Sequence, residues 1–188
     1  MARFQLVDPG QSDHKSAELL QGVQKQLGVV PNLMRALANS PAALAAYLQF
    51  NGGLSRGKLN RKTRERIALA VGEANACQYC VSAHSTLGAQ AGLEEGEILA
   101  ARRGESSDTK ADAAAHFART GLDNRGTVND AELQKVRDAG YGDAEIVEII
   151  AHVALNIWTN FFNKAGHVDI DFPEVELLSQ ADEPVGAA

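Results

Sequence analysis

The two cysteines of the chain lie in one short segment, Cys77-Gln-Tyr-Cys80, and His84 follows four residues after the second cysteine. The segment is rich in alanine and contains no proline, which predicts a helix. Residues three and four apart share a helix face, so Cys80 would face both Cys77 and His84. A dithiol beside an imidazole is typical of redox chemistry, because the thiolate is the nucleophile and the imidazole can accept its proton.

Two other interpretations of the segment stay open. A zinc site would need a fourth ligand besides the two cysteines and His84, and His152 is a candidate. The two thiols also fit a pair of inert core cysteines, since free cysteine is often buried. A c-type haem is excluded, because it needs a histidine directly after the second cysteine and the chain has Val81 there. The spacing favours the redox interpretation.

Length and composition indicate one globular domain. The chain has 188 residues, of which 45% are hydrophobic and 22% charged, enough for a real core. The formal charge of −6 gives no general attraction to nucleic acid or anionic lipid, so we expect neither as a partner. Polar residues interrupt the most apolar run, 146–162, and the first residues do not resemble a signal peptide. Together with a CxxC pair that suits a reducing compartment, these features predict a cytoplasmic protein.

Helical periodicity dominates and strand alternation is scarce, so we predict an all-α fold: a compact multi-helix domain with a CxxC-bearing helix. We divide it into an N-terminal helical extension (1–52), a redox core (53–170) and a tail (171–188) that lies on the surface or frays. Capping and glycine signals predict four helices before the cysteines. The first runs from Ser12 or Asp13 to about Leu27 and is closed by Gly28, and the second begins at Pro31. The third begins at Ser40-Pro41 and ends at Gly52-Gly53, and the fourth begins after a cap at Asn60.

After the cysteine helix, which should end near Gly92, the pattern predicts helices at 94–102 and 111–120, one from a capping box at Asn129 to Ala139, and a long last helix at 143–163 closed by Gly166. Ala91-Gly92 and Ala139-Gly140 both precede a Glu-Ile helix. They indicate either a duplicated helical hairpin or a common helix–turn–helix solution.

The full spacing resembles a known family. Glu65 is followed by eleven residues, then by Cys77-Gln-Tyr-Cys80, and after three more residues by His84. This spacing looks like the signature of alkylhydroperoxidase D-like proteins within the carboxymuconolactone decarboxylase family. Arg64 before Glu65, Asn75 and the turn at Ala91-Gly92 also match, and the resemblance covers roughly residues 49–101. The ending at 152–163 resembles the longer, peroxidase-related branch.

The resemblance implies a thiol-dependent peroxidase acting on hydrogen peroxide or small organic hydroperoxides. Cys80 would be the peroxidatic thiolate and would become a sulfenic acid; Cys77 would resolve it as a disulfide. His84 would take the proton of Cys80, and Glu65, directly or through a water, would orient His84. No cofactor or metal is implied. Electrons would come from a lipoyl-bearing or other dithiol protein, and the subunits would form homotrimers or hexamers. A thiol–disulfide oxidoreductase or redox sensor is the alternative, whereas the CxxC pair argues against lactone decarboxylation.

Several residues allow a structural interpretation beside the functional one. Glu65 could pair with Arg61, and His152 fits a core histidine with satisfied hydrogen bonds. Tyr79, where alkylhydroperoxidase D proper has a histidine, could guide substrate or simply pack. The remaining side chains belong to the last helix. For its three asparagines we expect core or interface hydrogen bonding (Asn156, Asn160 and Asn163), and for its aromatic cluster a packing or subunit surface (Trp158, Phe161 and Phe162).

Overall fold

The computed structural model of the protein describes residues 2–10 and 14–178. Within these residues the chain forms nine helices and no strand, which confirms the all-α prediction. The helices are α1 (His14–Leu27), α2 (Asn32–Leu37), α3 (Pro41–Leu54), α4 (Arg61–Ala74), α5 (Gln78–Gln90), α6 (Glu95–Arg102), α7 (Thr109–Asp123), α8 (Asp130–Asp138) and α9 (Asp143–Gly166). No helix in the described part is long and apolar enough to cross a membrane.

Helix α4 lies at the centre of the bundle. It packs against α5, α6, α7 and α9. The predicted cap is confirmed, since the Asn60 side chain accepts a hydrogen bond from the Thr63 amide at 2.9 Å. After a basic first turn the helix becomes apolar, and Ile67, Leu69 and Val71 are fully buried. Side chains beyond the first turn of α4 are therefore held in the interior of the domain.

Two apolar cores flank this central helix. One joins α4, α7, α8 and α9 through residues such as Phe117 and Ile149. The other joins α1, α2 and α3 to Cys77, Tyr79 and Cys80. The N-terminal helices thus cover the cysteines directly. The division into extension, core and tail stays a prediction, and α3 spans its first boundary.

The predicted end of α3 at Gly52-Gly53 is wrong, because the helix continues to Leu54. Glycine costs only about 1 kcal/mol in a helix, so tertiary contacts can override it. Here the Arg64 guanidinium donates to the carbonyl oxygens of Leu54 at 3.4 Å and Ser55 at 2.6 Å, which satisfies the helix end two residues later. The predicted caps of α1, Ser12 and Asp13, lie outside the described residues.

The two Ala-Gly turns have the same geometry. Gly92 and Gly140 both adopt a φ of 88°, which only glycine accepts readily. In each turn the next amide reaches back five residues: Leu93 to the carbonyl of Gly88 at 2.9 Å, and Tyr141 to that of Val136 at 3.3 Å. This is the Schellman end of a helix, so the sequence similarity corresponds to one shared way of closing α5 and α8.

The described part of the tail lies on the surface of the bundle, with most of its residues exposed or half-buried. Residues 171–178 are docked against the bundle and do not fray. The Val175 amide donates to Ser82 Oγ at 3.0 Å, and the Leu178 amide donates to Glu73 Oε1 at 2.7 Å. Leu177 is buried. These contacts give the segment the packing and backbone partners that a frayed end lacks. The remainder of the predicted tail lies outside the described residues.

Candidate functional site

The cysteine segment is split between two helices. The predicted continuous helix through residues 73–84 is wrong: α4 ends at Ala74, Ala76 adopts a φ of 49°, and Cys77 is the N-cap of α5. The Cys77 amide donates to the carbonyl of Gly72 at 2.9 Å, which closes α4 while α5 turns back along it. The alanine-rich composition concealed this break, because alanine favours helix on both sides of it. Cys80 consequently lies in the first turn of α5, where the helix dipole favours a thiolate.

Glycines allow α5 to approach α4 closely. A Cβ atom on Gly72 would lie 3.5 Å from the Cβ of Cys80. One on Gly88 would lie 3.2 Å from Leu93 Cδ1 and 3.9 Å from the Cβ of Glu65. These two positions bracket the cysteine and the glutamate, so α4 and α5 are in close contact along the whole candidate site.

The two thiols are free and buried, with Cys77 1% and Cys80 3% exposed. Burial opposes ionisation of Cys80, but hydrogen bonds from Cys77 and Asn163, the charge of His84 and the Asn160 amide outweigh it and lower its pKa to about 7. The same thiol–thiol hydrogen bond, with burial, raises the pKa of Cys77. The two cysteines therefore differ chemically, and Cys80 is the one that ionises near neutral pH.

His84 and Glu65 form a hydrogen-bonded pair. The Nδ1 atom of His84 lies 2.8 Å from Glu65 Oε2. Burial disfavours charge on the imidazole, but the Glu65 carboxylate outweighs it and raises the pKa of His84. The Glu65 side chain is 14% exposed, so it does not point into bulk solvent, and its partner is His84. The His84 side chain is 24% exposed, which opens this end of the site to solvent.

Three residues from other helices join the site, although no sequence pattern predicted a catalytic role for them. Asn163 of α9 donates from Nδ2 to Cys80 Sγ at 3.3 Å. Asn160, one turn earlier, is also buried beside Cys80. Tyr47 of α3 stands near the same groups: burial, with the charges of Cys80 and Glu65, raises its pKa to about 12. The sequence signal that could have pointed to the two α9 residues is the spacing of the asparagines by four and three residues on an apolar helix. No comparable sequence signal pointed to Tyr47.

The hydrogen-bond partners of His152 and Tyr79 decide between the structural and functional interpretations of these two residues. His152 is buried, but its Nε2 has no hydrogen-bond partner among the described residues, so the expectation of a satisfied core histidine is wrong. Burial, helped by the Arg64 charge, lowers the pKa of His152 to about 4. The Tyr79 hydroxyl donates to Asp171 at 2.8 Å and accepts from the Leu33 amide at 3.2 Å, which ties the docked tail to α2. This geometry favours packing over substrate guidance for Tyr79.

The zinc interpretation gains no support from the placement of possible ligands. Across residues 2–10 and 14–178, no three or more His, Cys, Asp or Glu side chains come together in an arrangement that could hold a metal ion. His152 therefore does not join Cys77, Cys80 and His84 as the fourth ligand of such a site.

Comparison with known proteins agrees with this architecture. Residues 41–120 match the model of the carboxymuconolactone decarboxylase family. No curated protein matches the chain in sequence. Among solved structures, the chain is similar to an uncharacterised peroxidase-related protein with an alkylhydroperoxidase AhpD core from Ralstonia eutropha JMP134, with 22% identity and a TM-score of 0.82 over 90% of this chain and 92% of that one.

Two further solved structures have the same fold. A peroxidase-related protein from Silicibacter sp. TM1040 has 23% identity and a TM-score of 0.77 over 89% of this chain and 91% of that one. A cysteine-to-alanine variant of the debrominase Bmp8, in complex with 2,3,4-tribromopyrrole, has 20% identity and a TM-score of 0.75. The match covers 91% of this chain and 94% of that one. Residues 41–120 therefore match the carboxymuconolactone decarboxylase family model, and the chain as a whole has the fold of these peroxidase-related proteins.

Proposed function

We propose that the protein is a thiol-dependent peroxidase that reduces hydrogen peroxide or small organic hydroperoxides. The observation that carries the proposal is the asymmetry of the thiol pair beside a hydrogen-bonded His84–Glu65 pair. A thiol with a pKa of about 7 is substantially ionised at neutral pH, and the Glu65 carboxylate raises the pKa of His84, which favours its proton-carrying form. Nucleophile and acid are thus available together.

In the proposed reaction, the proton of Cys80 passes to His84, and Glu65 stabilises the resulting imidazolium. The thiolate attacks the terminal oxygen of the hydroperoxide: the S–O bond forms, the O–O bond breaks, and the leaving alkoxide takes the proton from His84. Cys77 then attacks the sulfenic acid of Cys80, forming a disulfide and releasing water. A second dithiol must return two electrons and two protons to complete the cycle.

The burial of both sulfurs limits what can reduce the disulfide. A rigid protein surface cannot reach cysteines that are 1% and 3% exposed. A small dithiol, or a dithiol on a long flexible arm such as a lipoyl group, can reach them. We therefore propose a lipoyl-bearing or comparable dithiol protein as the physiological reductant, in a reducing compartment such as the cytoplasm. The pair itself is the redox group, and the proposal requires no further cofactor.

Cysteine variants test the peroxidase mechanism. Cys80→Ser is expected to abolish peroxide consumption with a dithiol donor, because the nucleophile is lost. Cys77→Ser should still react once and then accumulate a sulfenic acid, which dimedone labelling and mass spectrometry would detect at Cys80. Full activity in Cys80→Ser would contradict the mechanism. Disulfide exchange without peroxide consumption would support a thiol–disulfide oxidoreductase or redox sensor instead.

The similarity to Bmp8 adds one comparison to this assay. That debrominase has the same fold and is known in complex with 2,3,4-tribromopyrrole. Release of bromide from this compound should be measured with the same dithiol donor. We expect peroxide consumption to be the faster reaction; faster bromide release would contradict the assignment of peroxide as the substrate.

We also propose that the subunits form a homo-oligomer, a trimer or hexamer as the resemblance implies. Support comes from α9, whose outer face exposes Val147, Ile150 and Phe161 by 54–64%. Contiguous exposed apolar side chains of this kind are typical of an interaction surface.

A further inference from the structure

Within residues 2–10 and 14–178, two amides on α9 each keep one buried atom without a hydrogen-bond partner, although the Asn160 amide is close enough to Cys80 to help lower its pKa. Asn160 is 0% and Asn163 3% exposed. The Oδ1 atom of Asn160 accepts from Asn75 Nδ2 at 2.9 Å, which fixes the orientation of the amide and leaves Nδ2 as a donor. Asn163 uses Nδ2 on Cys80 Sγ, which leaves Oδ1 as an acceptor. One buried donor and one buried acceptor of the two amides are therefore free in the neighbourhood of Cys80.

Neither atom is explained by the fold alone. Native proteins pair nearly all buried polar groups, because an unpaired one costs free energy. The two residues are three apart and so are neighbours on one face of α9. Asn156, on the same buried face, shows what a merely structural amide does: its Nδ2 donates to the carbonyl of His152 in its own helix at 2.8 Å.

We propose that Asn160 and Asn163 form an amide pair that binds the hydroperoxide group of the substrate; this inference rests on the proposed peroxidase function. A hydroperoxide has one O–H donor and a neighbouring acceptor oxygen. Asn163 Oδ1 accepts from the terminal O–H, and Asn160 Nδ2 donates to the inner oxygen. The substrate class is therefore molecules with a free –OOH group, and peroxides substituted on both oxygens lack the donor that Asn163 needs.

The arrangement also suits the bond changes of the reaction. When the thiolate forms the S–O bond, the terminal oxygen keeps its hydrogen and becomes the sulfenic acid. The inner oxygen leaves with the electron pair of the O–O bond, and its growing charge falls where Asn160 donates, before His84 supplies the proton. A preorganised donor at such a position lowers the barrier more than it strengthens substrate binding.

The test separates recognition of peroxide from reactivity of the thiol. For each variant the pKa of Cys80 is first measured by thiolate absorbance. Second-order rate constants for hydrogen peroxide and for iodoacetamide are then compared at a pH where Cys80 is fully ionised. In Asn160→Leu we expect the peroxide-to-iodoacetamide ratio to fall about tenfold or more, as for a lost transition-state donor. Asn156→Leu is the matched control and should keep the wild-type ratio.

A second variant guards against misfolding. Asn160→Ala removes the amide without adding bulk and should give the same fall, with a wild-type circular dichroism spectrum as the check. If wild type consumes peroxide and folded Asn160 variants keep its ratio, the amide pair is overturned while the peroxidase function stands. If wild type is alkylated by iodoacetamide but does not react with peroxide, both proposals fail.

Discussion

The pKa of Cys80 is lowered in spite of its burial, because hydrogen bonds and a nearby charge outweigh the cost of taking the thiolate out of water. Removing a thiolate from water is costly, and a sulfur that is 3% exposed would ordinarily stay protonated. Cys77, Asn163 and His84 together reverse this and lower the pKa of Cys80 to about 7. The three groups come from three different positions: the α5 cap, α9 and the second turn of α5. The lowered pKa of Cys80 therefore depends on the assembled domain and not on the CxxC segment alone.

Glu65 should act through the charge it stabilises on His84. Glu65→Gln keeps the size of the side chain but removes the carboxylate that raises the pKa of His84. Less imidazolium at neutral pH should raise the pKa of Cys80 and slow peroxide reduction about a hundredfold, the lower range for a lost acid–base partner. The pH profile of iodoacetamide alkylation would report the thiol pKa directly. Glu95→Gln makes the same charge change at an exposed site on α6 and should leave both readouts unaltered.

His152 should make the fold sensitive to acid. Its pKa is lowered to about 4 in the folded protein, against 6.5 for a free imidazole, so the unfolded chain binds the proton more tightly. The stability associated with neutral His152 is thus complete above pH 6.5 and is lost as the pH falls towards 4, by at most about 3 kcal/mol.

Urea unfolding of wild type and His152→Leu at pH 7 and pH 4.5 measures how much stability depends on neutral His152. The variant should lose less free energy of unfolding between the two pH values than wild type does. A buried residue of the same helix that does not titrate serves as control: Leu155→Ala should keep the wild-type loss between the two pH values. An equal loss in wild type and His152→Leu would rule out this role for His152.

Spacing along the sequence brought together Glu65, Cys77, Cys80 and His84, and the structure places Glu65 on His84 and Cys77 beside Cys80. Asn163 could not be assigned in this way, because 83 residues separate it from Cys80. Its position depends on the register of α9 against α5, which no local pattern specifies. The assignment of Asn163 to core or interface hydrogen bonding was therefore reasonable from the sequence but missed its contact with the sulfur.

At the scale of the helices, the site depends on how closely α5 approaches α4. Gly88→Val should strain this packing, because a Cβ atom would already lie 3.2 Å from Leu93 Cδ1 in the turn after α5 and 3.9 Å from the Cβ of Glu65 on α4, and valine adds two methyl groups beyond it. We expect a loss of about 1–3 kcal/mol in stability, as for other overpacked contacts. We also expect a fall in the pKa of His84 as Glu65 moves away. Thermal unfolding and an NMR titration of His84 would measure the two effects.

A matched glycine provides the control for Gly88. Gly96 lies in α6, where a Cβ atom would meet nothing within 4 Å. Gly96→Val should therefore change stability by no more than about 0.5 kcal/mol. Equal effects of the two substitutions would mean that helix propensity, and not the contact between α4 and α5, determines the response.

Most helices could be predicted from their caps, because a cap is a local contact. Ser40 and Asn129 accept the amide hydrogen bonds that the sequence indicated. The end of α3 was missed because a distant group decided it: Arg64 sustains α3 past its two glycines. The break before Cys77 was hidden for a different reason, since the alanine-rich sequence favours helix throughout.

At the scale of the whole molecule, the exposed stripe on α9 should be covered by another subunit. Light scattering after gel filtration should give a multiple of the 20.0 kDa chain mass. Ile150→Glu places a charge on the stripe and should shift the mass towards the single chain. Val29→Glu, at an exposed apolar position between α1 and α2, should leave the assembly intact. A wild-type mass of one chain would overturn the proposed oligomer.

The hydrogen bond from Asn163 to Cys80 also bears on how the protein is made. The amide is synthesised 83 residues after the sulfur it activates, an interval of roughly 4–17 s at ordinary translation rates. Throughout that interval, no residue of α9 is available to lower the pKa of Cys80 in the nascent chain. The growing polypeptide therefore carries Cys80 without the α9 hydrogen bond that helps to lower its pKa, and that contribution is added only when α9 packs against α5.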